Sequence, residues 1–337
     1  MPKRSDGAGV ESNNGSSDGS PDDGLIMKKQ VEEWPTHIPI KFNEIVAEIV
    51  QYTDLPRDEV EHRVWMQALE PGWNVIEDVK RFGVIPFHFD EKMIRLYTEG
   101  DGFIFDSLTF WSKPSRRLWI QHALDRIRIY ANRIEVPVAD LKILMHGDGP
   151  GNDSLFLANC GLKVDYYEVP GSKTFDFAVK RFQRSGYWEK TIRPIHDYQS
   201  CLKSQYDVVL SYEVLEHLPK PIEAIGEINA ALKVGGIALI TDDFGDLAGY
   251  LPTHLKSGAK YLGMAPFLFL KSDMVLSWYS RDELFKPYEF VKVEQVSPGD
   301  WIQLIRDYNV RSLYFSKFTG RLTRFINKLP YFRFKRA

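Results

Sequence analysis

Three glycines and one acid have the types and spacing to hold a ligand. Gly147, Gly149 and Gly151 make a GxGxG turn after the apolar run Lys142 to Met145, and Glu168 closes a further run, Val164 to Tyr167. Glycine admits left-handed backbone and carries no side chain, so the N–H groups of such a turn can approach a ligand. Asn152 or Asp153 is placed to cap a following helix, and Gly161 to end it. Strand, turn, helix and strand open an α/β sheet, in which ligands lie outside the carboxyl ends of the strands. There Glu168 can accept both hydroxyls of a ribose. The dinucleotide fingerprint needs a glycine where this chain has Asn152, so GxGxxG fails and the pattern is GxGxG instead.

Two more segments follow in order: YDVVLSYEVLEHL at 206–218 and LKVGGIALIT at 232–241. Together with the glycine turn they resemble the motifs of the class I S-adenosylmethionine (SAM)-dependent methyltransferases. Residues 206–218 resemble that family's fourth-strand motif. Residues 232–241 resemble its LKPGG turn into the fifth strand, with Val234 in place of proline. The resemblance covers Leu141 to Phe244, about a third of the chain. It implies a doubly wound, mostly parallel, Rossmann-like α/β sheet and SAM as cofactor. It places Gly147, Asp148, Gly149 and Gly151 around the methionine part, Glu168 on the ribose, Asp197 near the adenine amine, and Ser211 and Tyr212 beside the methionine moiety. One departure stands out. The family commonly has an acid two residues before the first glycine, and this chain has Met145, followed by His146. Asp148, inside the turn, is the candidate replacement.

SAM carries an activated methyl group, so the protein mainly aligns nucleophile and methyl. A hydroxyl nucleophile also needs a general base. His217, just past the fourth strand, has a suitable pKa and is the first candidate. Glu213 and Asp243 are the next, with Asp242 and His254 behind them. The base-methylating Pro-Pro-Tyr turn is absent, because Ser211-Tyr212-Glu213 stands there. Neither Cys160 nor Cys201 follows a proline, which argues against a cytosine C5 enzyme. No acid is evident to complete a metal site with Asp242 and Asp243, and no metal is expected. A hydroxyl on a small molecule or saccharide remains as the acceptor. The alternatives are an accessory protein that has lost catalysis, and an enzyme acting on a protein or RNA.

The elements that must position these residues follow from the rest of the chain. It has 337 residues, 44% hydrophobic and 26% charged, an ordinary globular composition. Residues 1–24 are Ser, Gly, Asn and Asp with little to bury, so disorder is expected. Residues 25–140 show helical spacing, such as Phe42, Ile45, Val46 and Ile49, and predict a helical N-terminal cap. Strand and helix alternate across 141–316, the expected methyltransferase domain. Residues 245–279 interrupt that pattern with aromatics and are expected to form a lid-like insertion. A sixth strand is predicted at Phe290 to Val296, and a last, antiparallel one at 311–316. The net charge is −3, yet residues 311–337 carry eight basic residues and no acid, which leaves −11 on residues 1–310. An acidic body does not suggest specific nucleic-acid binding. The basic, amphipathic stretch 317–337 has the pattern of an interfacial helix and suggests peripheral contact with the inner membrane face. Two cysteines without a CxxC pair, and no apolar leader, point to the cytoplasm. The sequence leaves the oligomeric state open.

Overall fold

The computed structural model describes residues 38–202, 206–280 and 287–307. The two expected tails and the strand at 311–316 lie outside the described residues.

One sheet organises the chain. Its strands are β1 Ile143–His146, β2 Val164–Tyr167, β3 Ile192–Ile195, β4 Tyr206–Tyr212, β5 Leu232–Thr241, β6 Met274–Tyr279 and β7 Tyr288–Lys292. They lie in the order β3-β2-β1-β4-β5-β7-β6. β1 to β5 are parallel, and β7 runs antiparallel between β5 and β6. Strand order reverses between β1 and β4, and in open α/β sheets that is where a ligand crevice opens. Met145 pairs with Tyr166 on one side and Leu210 on the other, so the glycine turn leaves the sheet at that crevice. β4 is buried along its whole length, as expected of a parallel strand covered on both faces.

Two expectations are corrected here. The segment 245–279 is not one insertion, because Ala265–Lys271 is a helix and Met274–Tyr279 is β6. Burial along β6 is mixed, which fits an edge strand and hides it from a search for continuous apolar runs. The strand predicted at Phe290 to Val296 is observed as Tyr288–Lys292, and it is the seventh strand and antiparallel.

The cap contributes α1 Phe42–Tyr52, α2 Arg57–Leu69, α3 Trp73–Phe82, α4 Glu91–Glu99, α5 Gly102–Trp111 and α6 Pro114–Arg133. The apolar stripes of α1, α2 and α5 meet in one cluster that also takes in Phe177. Phe177 belongs to α8 Lys173–Arg184, two helices further along, after α7 Asn152–Asn159. Another cluster joins Val79, Val84, Met93 and Leu96 to Leu255. Each cap cluster thus recruits an apolar side chain from the sheet half, worth about 1.5–3 kcal/mol if fully buried. Buried charges add to the joint. Arg181 of α8 pairs with Glu48 of α1 at 2.7 Å. α6 is tied twice, by Arg116 to Asp153 at 2.6 Å and by Arg126 to Glu289 of β7 at 2.7 Å.

Candidate active site

A cavity of about 570 Å³ lies where the glycine turn, the tip of β4 and the cap meet. All three glycines of the turn have positive φ, between +56° and +80°. A Cβ on Gly147 would stand 2.5 Å from Val214 Cγ2, and one on Gly151 2.3 Å from the Phe182 ring. Any side chain at these two positions collides as well as straining the backbone. Gly147 and Gly149 line the cavity, whereas Gly151 packs on Phe182 away from it.

Glu168 lines the cavity from the tip of β2. One carboxylate oxygen accepts the Gly149 N–H at 2.8 Å and the other accepts the Val169 N–H at 2.9 Å. Burial raises its pKa, while those two N–H groups pull it down. The carboxylate is therefore locked to the turn with acceptor capacity to spare. A cradle that excludes side chains, with a fixed carboxylate beside it, fits the glycine-turn and ribose positions of SAM.

Asp148 is placed otherwise than as a simple substitute for the missing acid. Its oxygens accept the N–H groups of Asp153 and Ser154 at 3.1 and 2.7 Å, so it caps the start of α7. Asn152 and Asp153, predicted as caps, lie inside that helix instead. Burial first, and the Asp153 charge after it, push the Asp148 carboxyl up to about 7. Met145 lines the cavity where the family commonly has an acid. His146 is buried, 3.0 Å from the Ser211 hydroxyl and stacked on Tyr167. Burial lowers its pKa to about 4, so it is neutral.

The remaining expected cofactor residues divide. Tyr212 lines the cavity, but Ser211 is fully buried and faces His146. Successive residues of a strand point to opposite faces, so only one of the two could reach the cavity. Asp197 is exposed, does not line the cavity, and accepts the Gln199 N–H at 3.0 Å as the cap of a short helix. The adenine role expected of it has no support in this placement.

The base candidates come together. His217, Glu213, Asp243 and His254 all line the cavity, and Asp242 does not. His217 Nδ1 lies 3.2 Å from the Thr253 carbonyl and 3.1 Å from the Tyr97 hydroxyl. A carbonyl only accepts, so in the tautomer that bonds Thr253 the proton is on Nδ1 and Nε2 keeps its lone pair. Burial lowers the His217 pKa, against a smaller opposing effect of the Thr253 hydrogen bond. Glu213 holds a left-handed φ of +54° while its N–H donates to Thr241 Oγ1 at 2.9 Å. Such backbone is rare for a residue with a Cβ, and it marks where β4 ends. Among the described residues, Glu216, His217 and His254 bring ligand-type atoms within 4.8 Å of one another, which is where a cation could be held.

The cap side of the cavity has no counterpart in the motif reading. Arg116 and the Trp111 indole N–H both bind the Asp153 carboxylate, and all three residues line the cavity. Asp106 and Ser107 of α5 line it as well. These partners are tens of residues apart, and no local spacing links them.

A family model described as a methyltransferase domain matches residues 132–289. The chain is 28% identical over 194 residues to a ubiquinone biosynthesis O-methyltransferase of Actinobacillus pleuropneumoniae, covering 54% of this chain and 81% of that protein. It is 27% identical over 187 residues to the enzyme of the same description from Shewanella halifaxensis, covering 52% and 77%. A solved O-methyltransferase structure from Nostoc punctiforme, itself described as putative, aligns over 68% of this chain and 70% of its own at 14% identity, with a TM-score of 0.45. Residues 132–289 match a methyltransferase domain, and the strand order, the cradle and the matched motifs are those of the class I SAM-dependent type.

Proposed function

We propose that this methyltransferase acts on a hydroxyl group of a small molecule, with His217 as general base. The observation that carries this reading is the state of His217. Burial lowers its pKa, its Nδ1 lies 3.2 Å from the Thr253 carbonyl, and it lines the same cavity as the glycine turn and Glu168. When bound, SAM supplies an already activated sulfonium methyl. Gly147 and Gly149 receive its methionine part along the backbone, and Glu168 holds the ribose hydroxyls. The cap walls off the other side of the cavity, so the acceptor hydroxyl is desolvated when it meets His217 Nε2. Removing its proton there makes the oxygen nucleophilic, and Thr253 steadies the imidazolium that forms.

The name shared by the relatives supports an oxygen acceptor. The reading of an accessory protein without catalysis rests on Met145 alone, and the filled base position weighs against it. The test is single-turnover incubation with methyl-labelled SAM and a set of phenols and sugars, with products identified by mass spectrometry. An O-methyl product is expected. Tight SAM binding with no transfer, or transfer to nitrogen only, would overturn this assignment.

A further inference from the structure

The cap carries a buried polar chain that ends on the cavity. Arg63 of α2 binds Asp101 at 2.5 Å, and its Nε donates to the Asn74 side-chain oxygen at 2.8 Å. The Asn74 amide donates to Gln67 Oε1 at 3.1 Å, and its backbone N–H donates to the same oxygen at 3.1 Å. Gln67 Nε2 then donates to Asp106 Oδ1 at 2.5 Å. Asn74 and Gln67 are almost fully buried, at 0% and 3% exposure.

The chain of bonds fixes the direction of its last link. Gln67 Oε1 is already taken by Asn74, so its amide cannot flip, and it must present N–H to Asp106. The Gly72 backbone N–H supports the same carboxylate. Asp106 is thus oriented by Gln67, which also lines the cavity and is itself held by Asn74, Arg63 and Asp101 behind it. It is half-buried and lines the cavity, where its remaining acceptor capacity can be used. Burial raises its pKa to about 6, against a smaller opposing pull from Lys113, which also lines the cavity. A buried carboxylate is costly unless its acceptor capacity is used.

The side of α5 it occupies also matters. Ser107 is the neighbour of Gly149, since a Cβ there would lie 3.5 Å from Ser107 Oγ. Asp106 turns instead toward Gln67 and Gly72, and Gly72 abuts the backbone of Tyr250. Tyr250, Phe89, Ile94 and Phe110 are among the residues that give the cavity an apolar, aromatic lining. A carboxylate set in such a lining selects for one hydrogen-bond donor on an otherwise apolar ligand.

We infer that Asp106 is a specificity residue: it binds a hydrogen-bond-donating group, a further hydroxyl or an amine, on a ring-bearing acceptor, apart from the hydroxyl that is methylated. This rests on the hydroxyl-methylation reading above and adds another contact point of the acceptor. Selectivity follows because a ligand without the donor displaces water from this carboxylate and leaves part of its acceptor capacity unused.

The test uses the full chain saturated with S-adenosylhomocysteine and three matched probes: 4-ethylphenol, 4-ethylcatechol and tyramine. Calorimetry should give at least about ten-fold tighter binding of 4-ethylcatechol or tyramine than of 4-ethylphenol, and which of the two gains separates hydroxyl from amine. In Asp106→Leu the advantage should fall below about two-fold, with S-adenosylhomocysteine affinity unchanged. Gln67→Leu, which keeps the carboxylate but frees its orientation, should reduce the advantage part of the way and covers the case in which Asp106→Leu does not fold. Equal affinity for the three probes in the wild type, or an advantage that survives Asp106→Leu or Gln67→Leu intact, would overturn the inference. Methylation is scored separately. Discriminating binding without O-methyl product would leave Asp106 in place and defeat the hydroxyl reading.

Discussion

The two walls of the cavity are built on different principles. On the sheet side, the ligand surface is backbone: the glycine turn, with one carboxylate pinned to it by the Gly149 and Val169 N–H groups. On the cap side, the surface is side chain, and groups are held by others from distant parts of the chain, as Arg116 is by Asp153 and Asp106 by Gln67. Backbone surfaces come from local sequence and tolerate little change. Side-chain surfaces come from packing and can be rewritten residue by residue. The former suits a cofactor that does not vary, and the latter suits an acceptor that does.

Substitutions on the two walls should therefore fail in different ways. The largest stability loss is expected at their joint. Arg116→Leu leaves the Asp153 carboxylate buried without its ion-pair partner, and breaking such a pair costs about 3–5 kcal/mol. Urea unfolding should show a loss of that size, and a loss below 1 kcal/mol, on the order of a surface ion pair, would mean the joint is not structural. His217→Ala comes next, with kcat lowered by about 10²–10⁴ and SAM affinity retained. Because burial depresses the His217 pKa, the imidazole is neutral through neutral pH. The rate should stay level there and fall only as pH drops below the ordinary histidine range. A rate that declines already from pH 8 downward contradicts the assignment.

The third expectation concerns His146. Its pKa is near 6.5 when unfolded and about 4 when folded. The unfolded chain binds the proton first, so this group's contribution is complete above pH 6.5 and is lost as pH falls toward 4. The shift corresponds to on the order of 3 kcal/mol. Asp148 is raised to about 7 and slopes the other way over part of that window, so the difference between wild type and His146→Phe is the quantity to measure. The same acid dependence in both proteins would refute the buried neutral histidine. The smallest effect is expected at Glu168→Ala. Losing charge-assisted bonds to a ribose should weaken SAM by about ten-fold, or 1.4 kcal/mol, in a calorimetric titration.

The contrast between the walls also explains what could be read from the sequence. The parallel strands, the glycine turn and the base candidates past β4 follow from local composition and period. Asp197 misled because a carboxylate after a strand can equally cap the next short helix, which is what it does. Ser211 misled because neighbouring residues on a strand face opposite ways. β6 was hidden by its edge position. Asp106 had no local mark at all: it sits in a helical stretch, and its partner Gln67 is 39 residues away. Glu213 was legible as a candidate base, but its left-handed backbone was not, since nothing in its type announces it.

The helix α6 constrains how such a molecule can be rebuilt. It is 20 residues long, and it is fastened near its start to Asp153 and further along to Glu289 of β7. A strut fixed at two points to one body does not swing. Exchange of caps between related chains, in the laboratory or in descent, must therefore carry both arginines and find both acids waiting. A graft that brings Arg116 and Arg126 onto a sheet lacking Asp153 or Glu289 would bury a stranded charge at the seam. The same holds for α1, whose Glu48 must meet Arg181 of α8, so the cap and the sheet are matched at three buried ion pairs.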